Sequence, residues 1–187
     1  MDIKRLEIEH CQNFSVLGKI AWLWMSSPLH RPWTVDLLSR FVLPAIESNQ
    51  YLLIERDDFP VAYCSWAFLN QSAEVQYMID PSHIHAEDWV GGDRLWFVDW
   101  VAPFSRGDSI SMKNQLVEMF PHSLARAIRV KRDKTKARVM EFKGRKLDPD
   151  EASALLNQYY GDFLTVAKKT CGDLKRRREA HNISHRR

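Results

Sequence analysis

Residues 94–101 read Arg-Leu-Trp-Phe-Val-Asp-Trp-Val. Beyond its first residue the run is apolar except for one aspartate, and it lacks the in-out alternation of a half-exposed strand. Such a run belongs in the centre of a sheet. A central strand needs helices to cover both faces, so the chain has to be layered. Asp99 is the misfit. A carboxylate in a buried strand is costly unless it is paired or hydrogen-bonded, so Asp99 needs a partner from elsewhere in the chain.

The remaining elements supply the layers. Residues 14–25 read as a helix that carries the run Ile20-Ala21-Trp22-Leu23-Trp24-Met25 and breaks at Pro28. Thr34 is placed as N-cap of a second helix, with Asp36 in its first turn. Its stripe of Leu37, Leu38, Phe41, Val42, Ala45 and Ile46 is interrupted by Pro44, which should kink or shorten it. Strands are expected over 51–54 and 61–66, with 56–60 as their hairpin turn, and a third over 74–79. A loop over 80–92 leads to the central strand. A helix over 109–120, a second hairpin from 127–130 and 138–142, and a helix over 149–169 follow. Asp148 would cap that last helix and Pro149 would stand at its first position. The order predicts an α/β architecture, in the sense of an α+β mixed sheet flanked by helices.

Composition narrows the class. Hydrophobic residues make up 45% and charged residues 27% of 187 residues; that argues against disorder except at the ends. No apolar run reaches the ~20 residues of a membrane helix. Three acids precede any apolar stretch, which argues against a secretory signal. Cys11, Cys64 and Cys171 are odd in number and far apart, as in a reduced, cytoplasmic protein without a disulfide framework or a metal site. The expected division is one domain over 1–170 and a basic tail over 171–187.

The net charge of +3 hides a segregation. Residues 126–146 hold ten Lys/Arg against two acids, and 168–187 hold eight against two, so the rest of the chain is strongly acidic. Such polarity points to an acidic partner on the C-terminal third. The plain alternative is a solvated hairpin and a basic tail.

Few residues offer chemistry. The first helix breaks at Ser26-Ser27-Pro28-Leu29-His30-Arg31-Pro32-Trp33, which puts a serine and a histidine on an irregular segment beside tryptophans. Proline excludes the residue before it from the helical region, so Ser27 marks the end of the helix. His30 and Asp99 are candidates for a base and its orienter, because a carboxylate on one ring nitrogen fixes the tautomer and supports the imidazolium. Spacing alone does not bring them together, and a capping histidine with a structural acid fits the same residues. Ser27 is a candidate nucleophile or positioner. Trp22, Trp24, Trp33, Trp66, Trp96 and Trp100 are core residues or the lining of an apolar groove. His83-x-His85 lacks further ligands at metal spacing and reads as loop polarity.

The runs IAWLWMSSPLHRPW, LLSRFVLPAI, QYLLIERDDFPVAYCSWA, GDRLWFVDWVAPFSR and RAIRV, with EF-x-G at 141–144, resemble the toxin-activating lysine acyltransferases of RTX cytolysin operons. The resemblance spans about residues 17–160. It implies a fold like that of the GNAT acetyltransferases. It also implies transfer of a fatty acyl chain from acyl carrier protein to internal lysines of an RTX protoxin. The family's SPLH histidine falls on His30, the serine of that motif on Ser27, and the aspartate of its central strand on Asp99. A homodimer is compatible with the family.

No Q/R-x-x-G-x-G/A follows the central strand, where the chain reads Ala102-Pro103-Phe104-Ser105-Arg106-Gly107-Asp108. A coenzyme A donor needs backbone donors for its pyrophosphate. A carrier-protein donor brings a single phosphodiester, so no tightly bound cofactor is expected. An acidic carrier, rather than a nucleic acid, would meet the basic third, with Arg129, Lys131 and Arg132 as candidate docking residues. The rival reading is a non-catalytic module that binds or escorts a toxin or acidic partner, with the tryptophans holding a peptide. A membrane adaptor acting through the tail is a third.

Overall fold

A computed structural model describes residues 3–130 and 137–184. Five strands lie in the order β1-β2-β3-β4-β5. They are β1 (Tyr51–Arg56), β2 (Phe59–Leu69), β3 (Arg94–Val101), β4 (Leu124–Val130) and β5 (Ala137–Lys143). All neighbours are antiparallel except β3 and β4. The helices are α1 (Ile3–Ser26), α2 (Val35–Phe41), α3 (Leu43–Glu47), α4 (Gln71–Ile79), α5 (Arg106–Met119) and α6 (Pro149–Ser184). The α/β reading holds, and β3 is the central strand. Among the described residues no helix is long and apolar enough to cross a membrane.

Each face of the sheet has its own core. Ile20, Leu23 and Trp24 of α1 pack with Ala45 and Ile46 of α3 against Tyr63, Ala67, Trp96 and Val101. Met112 and Leu116 of α5 pack against Cys64, Trp66, Leu95 and Phe97 on the other face. The two-residue turn between β1 and β2 holds Asp57 and Asp58 at φ 50° and 61°. Two successive left-handed residues match the right-handed twist of the strands they join. Pro44 falls in the first turn of α3, and the expected interruption of the 37–46 stripe appears as the break at Val42. Asp148 accepts from the backbone N–H groups of Asp150 and Glu151 at the start of α6. That helix runs on to Ser184, past the end expected at residue 169. Gly144, of the EF-x-G run, backs onto the neighbouring chain so closely that a Cβ would lie 2.3 Å from the Phe120 carbonyl oxygen.

One expected strand is a helix. Residues 74–77 alternate Glu74 and Gln76 with Val75 and Tyr77, and 74–79 read as a strand, yet they form most of α4. Asn70 overrides that pattern: its side-chain oxygen accepts from the Ala73 N–H at 2.9 Å and caps the first turn. Helical winding also turns Glu74 inward. There its carboxylate accepts from Arg94 Nη1 at 2.5 Å and Trp96 Nε1 at 2.8 Å, and it pairs with Arg126. Arg94 also reaches Asp162 of α6 at 2.5 Å, and the Arg126 guanidinium lies over the rings of Trp96 and Tyr159. This buried cluster ties α4, β3, β4 and α6 together.

Two irregularities shape the reactive end of the sheet. Along β2 and β3, Ser65 faces Asp99 but Trp66 faces Phe97, so Val98 is an extra residue on β3. The β3–β4 ladder contains only Trp96↔Arg126 and Phe97↔Ala127, although both strands continue. The parallel strands therefore stop pairing just before Asp99.

Candidate active site

The end of α1 sets up Ser27 and His30. After the helix closes, the N–H groups of His30 and Arg31 both donate to the Ser27 carbonyl, at 3.2 and 2.9 Å. Trp33 N–H then donates to the His30 carbonyl at 2.7 Å. Winding of this kind sets residues three apart side by side. Ser27 Oγ accordingly lies 2.7 Å from His30 Nδ1. The imidazole is held by the indole of Trp33, 4.5 Å away and edge-on, and that of Trp24 at 5.4 Å.

The bulge at Val98 brings in Asp99. Strict alternation would align Asp99 with Leu95 and Phe97, toward α5. One extra residue reverses the phase and turns Asp99 to the α1 face. Its Oδ1 meets His30 Nε2 at 3.0 Å and accepts the Trp100 backbone N–H at 2.8 Å. Its Oδ2 accepts Trp24 Nε1–H at 2.7 Å. A carboxylate only accepts, so the proton of a neutral His30 sits on Nε2. Nδ1 then presents its lone pair to the Ser27 hydroxyl. Ser27, His30 and Asp99 are 8%, 4% and 5% exposed, so the whole chain of contacts is shielded from water.

Asp99 dominates the local field. Burial pushes the Tyr63 hydroxyl and the Cys64 thiol well up, and the Asp99 charge adds to both shifts. Tyr77 moves the same way, for the same two reasons in the same order. These three groups stay neutral. The side chains of Tyr63 and Ser65 are buried, and Ser65 stands directly across from Asp99. A histidine with a carboxylate on one nitrogen and a hydroxyl on the other can take a proton from an attacking group and return it to a leaving one.

The three candidate residues thus meet, although they lie up to 72 positions apart in the chain. The tryptophans do not form one groove. Trp24 and Trp33 border His30, Trp96 belongs to the Glu74 cluster, and Trp66 and Trp100 pack on the α5 face against Phe120 and Phe142. Trp22 is exposed. His85 begins a short 3-10 turn, its backbone N–H donating to Asp88. Arg129 is exposed on β4, directly opposite Arg138 of β5. Lys131 and Arg132 lie outside the described residues. Sequence reasoning missed Trp24 as a donor to Asp99, and it missed the bulge. The unexplained acid inside an apolar strand was the one available signal for both.

Comparison with known proteins gives a consistent result. Residues 9–143, well over half of the chain, match the model of the RTX toxin acyltransferase family. The chain is 50% identical to the RTX-I toxin-activating lysine-acyltransferase ApxIC of Actinobacillus pleuropneumoniae, over 83% of this chain and 90% of that one. It is 47% identical to the protein-lysine myristoyltransferase HlyC of Escherichia coli, over 82% and 89%. Identity to the protein-lysine palmitoyltransferase CyaC of Bordetella bronchiseptica is 44%, over 86% of each chain.

Proposed function

We propose, from the premise that the chain belongs to the RTX toxin acyltransferase family, that it activates an RTX protoxin in the cytoplasm by acylating internal lysine ε-amino groups, with acyl carrier protein as donor. The observation that carries the reading is the buried series Ser27–His30–Asp99, with both ring nitrogens of His30 engaged. A lysine near its reference pKa of ~10.4 is mostly protonated at neutral pH and cannot attack. In this reading the lysine loses its ammonium proton to solvent, and His30, oriented by Asp99, takes a second proton from the nitrogen, through Ser27, as the amine attacks the thioester carbonyl. The C–N bond forms and the C–S bond breaks. The proton then passes to the departing carrier thiolate. Ser27 lies between His30 Nδ1 and the approaching amine and positions the transfer.

The 2.7 Å contact between Ser27 and Nδ1 also favours a second reading. A hydroxyl bound to a base that is itself oriented by a carboxylate is the arrangement of an activated nucleophile. Ser27 would then carry the acyl group as an ester before lysine takes it. Denaturing mass spectrometry of enzyme mixed with donor alone separates the routes: a stoichiometric acyl-Ser27 that later passes to lysine establishes the covalent one.

Carrier docking is proposed at the β4–β5 hairpin. Arg129 and Arg138 face each other across the strands, and among the described residues neither has an ion-pair partner. Like charges directly opposite are unfavourable by themselves, and an acidic partner relieves them. Lys131 and Arg132 extend the same basic stretch in sequence. The test is incubation of enzyme with an acylated carrier protein, or the matching acyl coenzyme A, and an unacylated RTX protoxin, followed by mass mapping of lysines. Preference for the carrier, weakening with salt and with Arg129→Glu, is expected. Equal use of both donors without salt dependence overturns the carrier assignment. A protoxin with no acylated lysine overturns the function.

A further inference from the structure

The end of the sheet that holds Asp99 is bracketed by two hairpins of opposite character. β4 runs parallel to β3, so the Arg129–Arg138 end of the second hairpin lies at the C-terminal end of β3. β2 runs antiparallel to β3, with Tyr63 across from Val101, so the Asp57-Asp58 turn of the first hairpin lies at that same end. Asp57 and Asp58 are exposed, and among the described residues neither has an ion-pair partner.

Beside this acidic turn runs an aromatic stripe. Trp22, Phe59 and Phe104 are 44%, 45% and 48% exposed. Their rings touch in series, Trp22 to Phe59 at 5.9 Å edge-on and Phe59 to Phe104 at 5.8 Å. Met25, exposed one helical turn on from Trp22 and two residues before Ser27, extends the stripe toward the site. Three large side chains touching in series at the surface form the kind of patch that marks a binding face, in contrast to singly scattered apolar residues.

We propose that this stripe, with the Asp57-Asp58 turn, docks the lysine-bearing segment of the acceptor protein; the inference rests on the lysine acyltransferase reading above. Charge selects the occupant. The acidic carrier is repelled from the aspartate turn and attracted to the arginine pair, whereas a cationic lysine segment has the reverse preference. Donor and acceptor therefore arrive on opposite sides of β3 and meet at its end.

The test is steady-state acylation of an unacylated RTX protoxin by acylated carrier protein, each varied in turn at low and high salt. Phe59→Ser with Phe104→Ser should raise the protoxin Michaelis constant roughly tenfold or more, by loss of aromatic anchors, and leave that of the carrier at its wild-type value. Asp57→Asn with Asp58→Asn should raise it by a smaller factor that fades at high salt. Asparagine tolerates positive φ, so this pair keeps the turn and still decides the question if the serine variant fails to fold. An unchanged protoxin Michaelis constant in the asparagine pair at low salt, or in a folded serine variant, overturns the docking proposal alone. So does a serine variant that only converts a wild-type dimer to monomer. A wild-type enzyme that acylates no lysine overturns the functional reading, and this proposal with it.

Discussion

The interior uses one device twice. Trp24 donates its indole N–H to Asp99 at 2.7 Å, and Trp96 donates its indole N–H to Glu74 at 2.8 Å. Both carboxylates are buried and both accept several donors. The second partner differs. Glu74 faces Arg94 and Arg126, guanidinium groups that stay charged in proteins. Asp99 faces His30, an imidazole that can both take up and release a proton. One cluster holds its charge fixed and serves as a rivet between layers. The other contains a group able to exchange a proton, and beyond it stands a hydroxyl. Burial and hydrogen bonding alone do not separate scaffold from site; the capacity of the partner to exchange a proton does.

The largest effects should separate the clusters cleanly. His30→Ala and Asp99→Asn should keep a cooperative unfolding transition near that of the wild type and lower lysine acylation by about 10³-fold, the middle of the range for general acid–base groups. Near wild-type turnover at neutral pH in both variants would remove the assigned roles. Glu74→Ala should do the reverse. Removing one member of a buried ion cluster leaves arginines without their counter-charge and costs about 3–5 kcal/mol. Denaturant unfolding would show the loss, while the fraction that remains folded should retain most of its specific activity. If Glu74→Ala instead abolished turnover in a fully folded protein, the division between rivet and site would be misdrawn.

Ser27→Ala gives an intermediate effect. A hydroxyl that only positions the transfer should cost roughly 10-fold to 100-fold in rate and leave measurable activity. A nucleophile that carries the acyl group should cost as much as His30 does, because members of one catalytic unit fail together. The ratio of the Ser27→Ala and His30→Ala rates therefore reports the route.

Much of this arrangement was legible in the sequence. The apolar run of β3 placed the central strand, and Pro28 placed the end of α1. The SSPLHRPW segment and the lone acid of β3 named Ser27, His30 and Asp99. Three things were hidden, each for a physical reason. The bulge at Val98 is a register slip between two strands, and an extra residue leaves no mark in a run that is apolar on both faces. Helix α4 carries a strand-like alternation, and a capping bond from one side chain of Asn70 outweighs it. The Glu74 cluster assembles from residues up to 88 positions apart, Glu74 to Asp162, so no local pattern announces it. Local chemistry showed through the sequence, whereas side-chain direction set by long-range register did not.

The finest test removes a single N–H from each cluster. Trp24→Phe and Trp96→Phe keep an aromatic ring in place and delete one donor to a buried carboxylate. At Trp96 the loss should appear as stability. A hydrogen bond to a charged group is worth about 1.5–3 kcal/mol, or several degrees in the melting temperature of a domain this size, with kcat/KM of the folded enzyme unmoved. At Trp24 the loss should appear in the rate as well. With one donor fewer, the Asp99 carboxylate is held less firmly in the position from which it orients His30. The value of kcat/KM should therefore fall by roughly tenfold or less. A Trp24→Phe variant that lost stability but kept the wild-type kcat/KM would make Trp24 a rivet like Trp96. The proton-exchanging unit would then be confined to Ser27, His30 and Asp99.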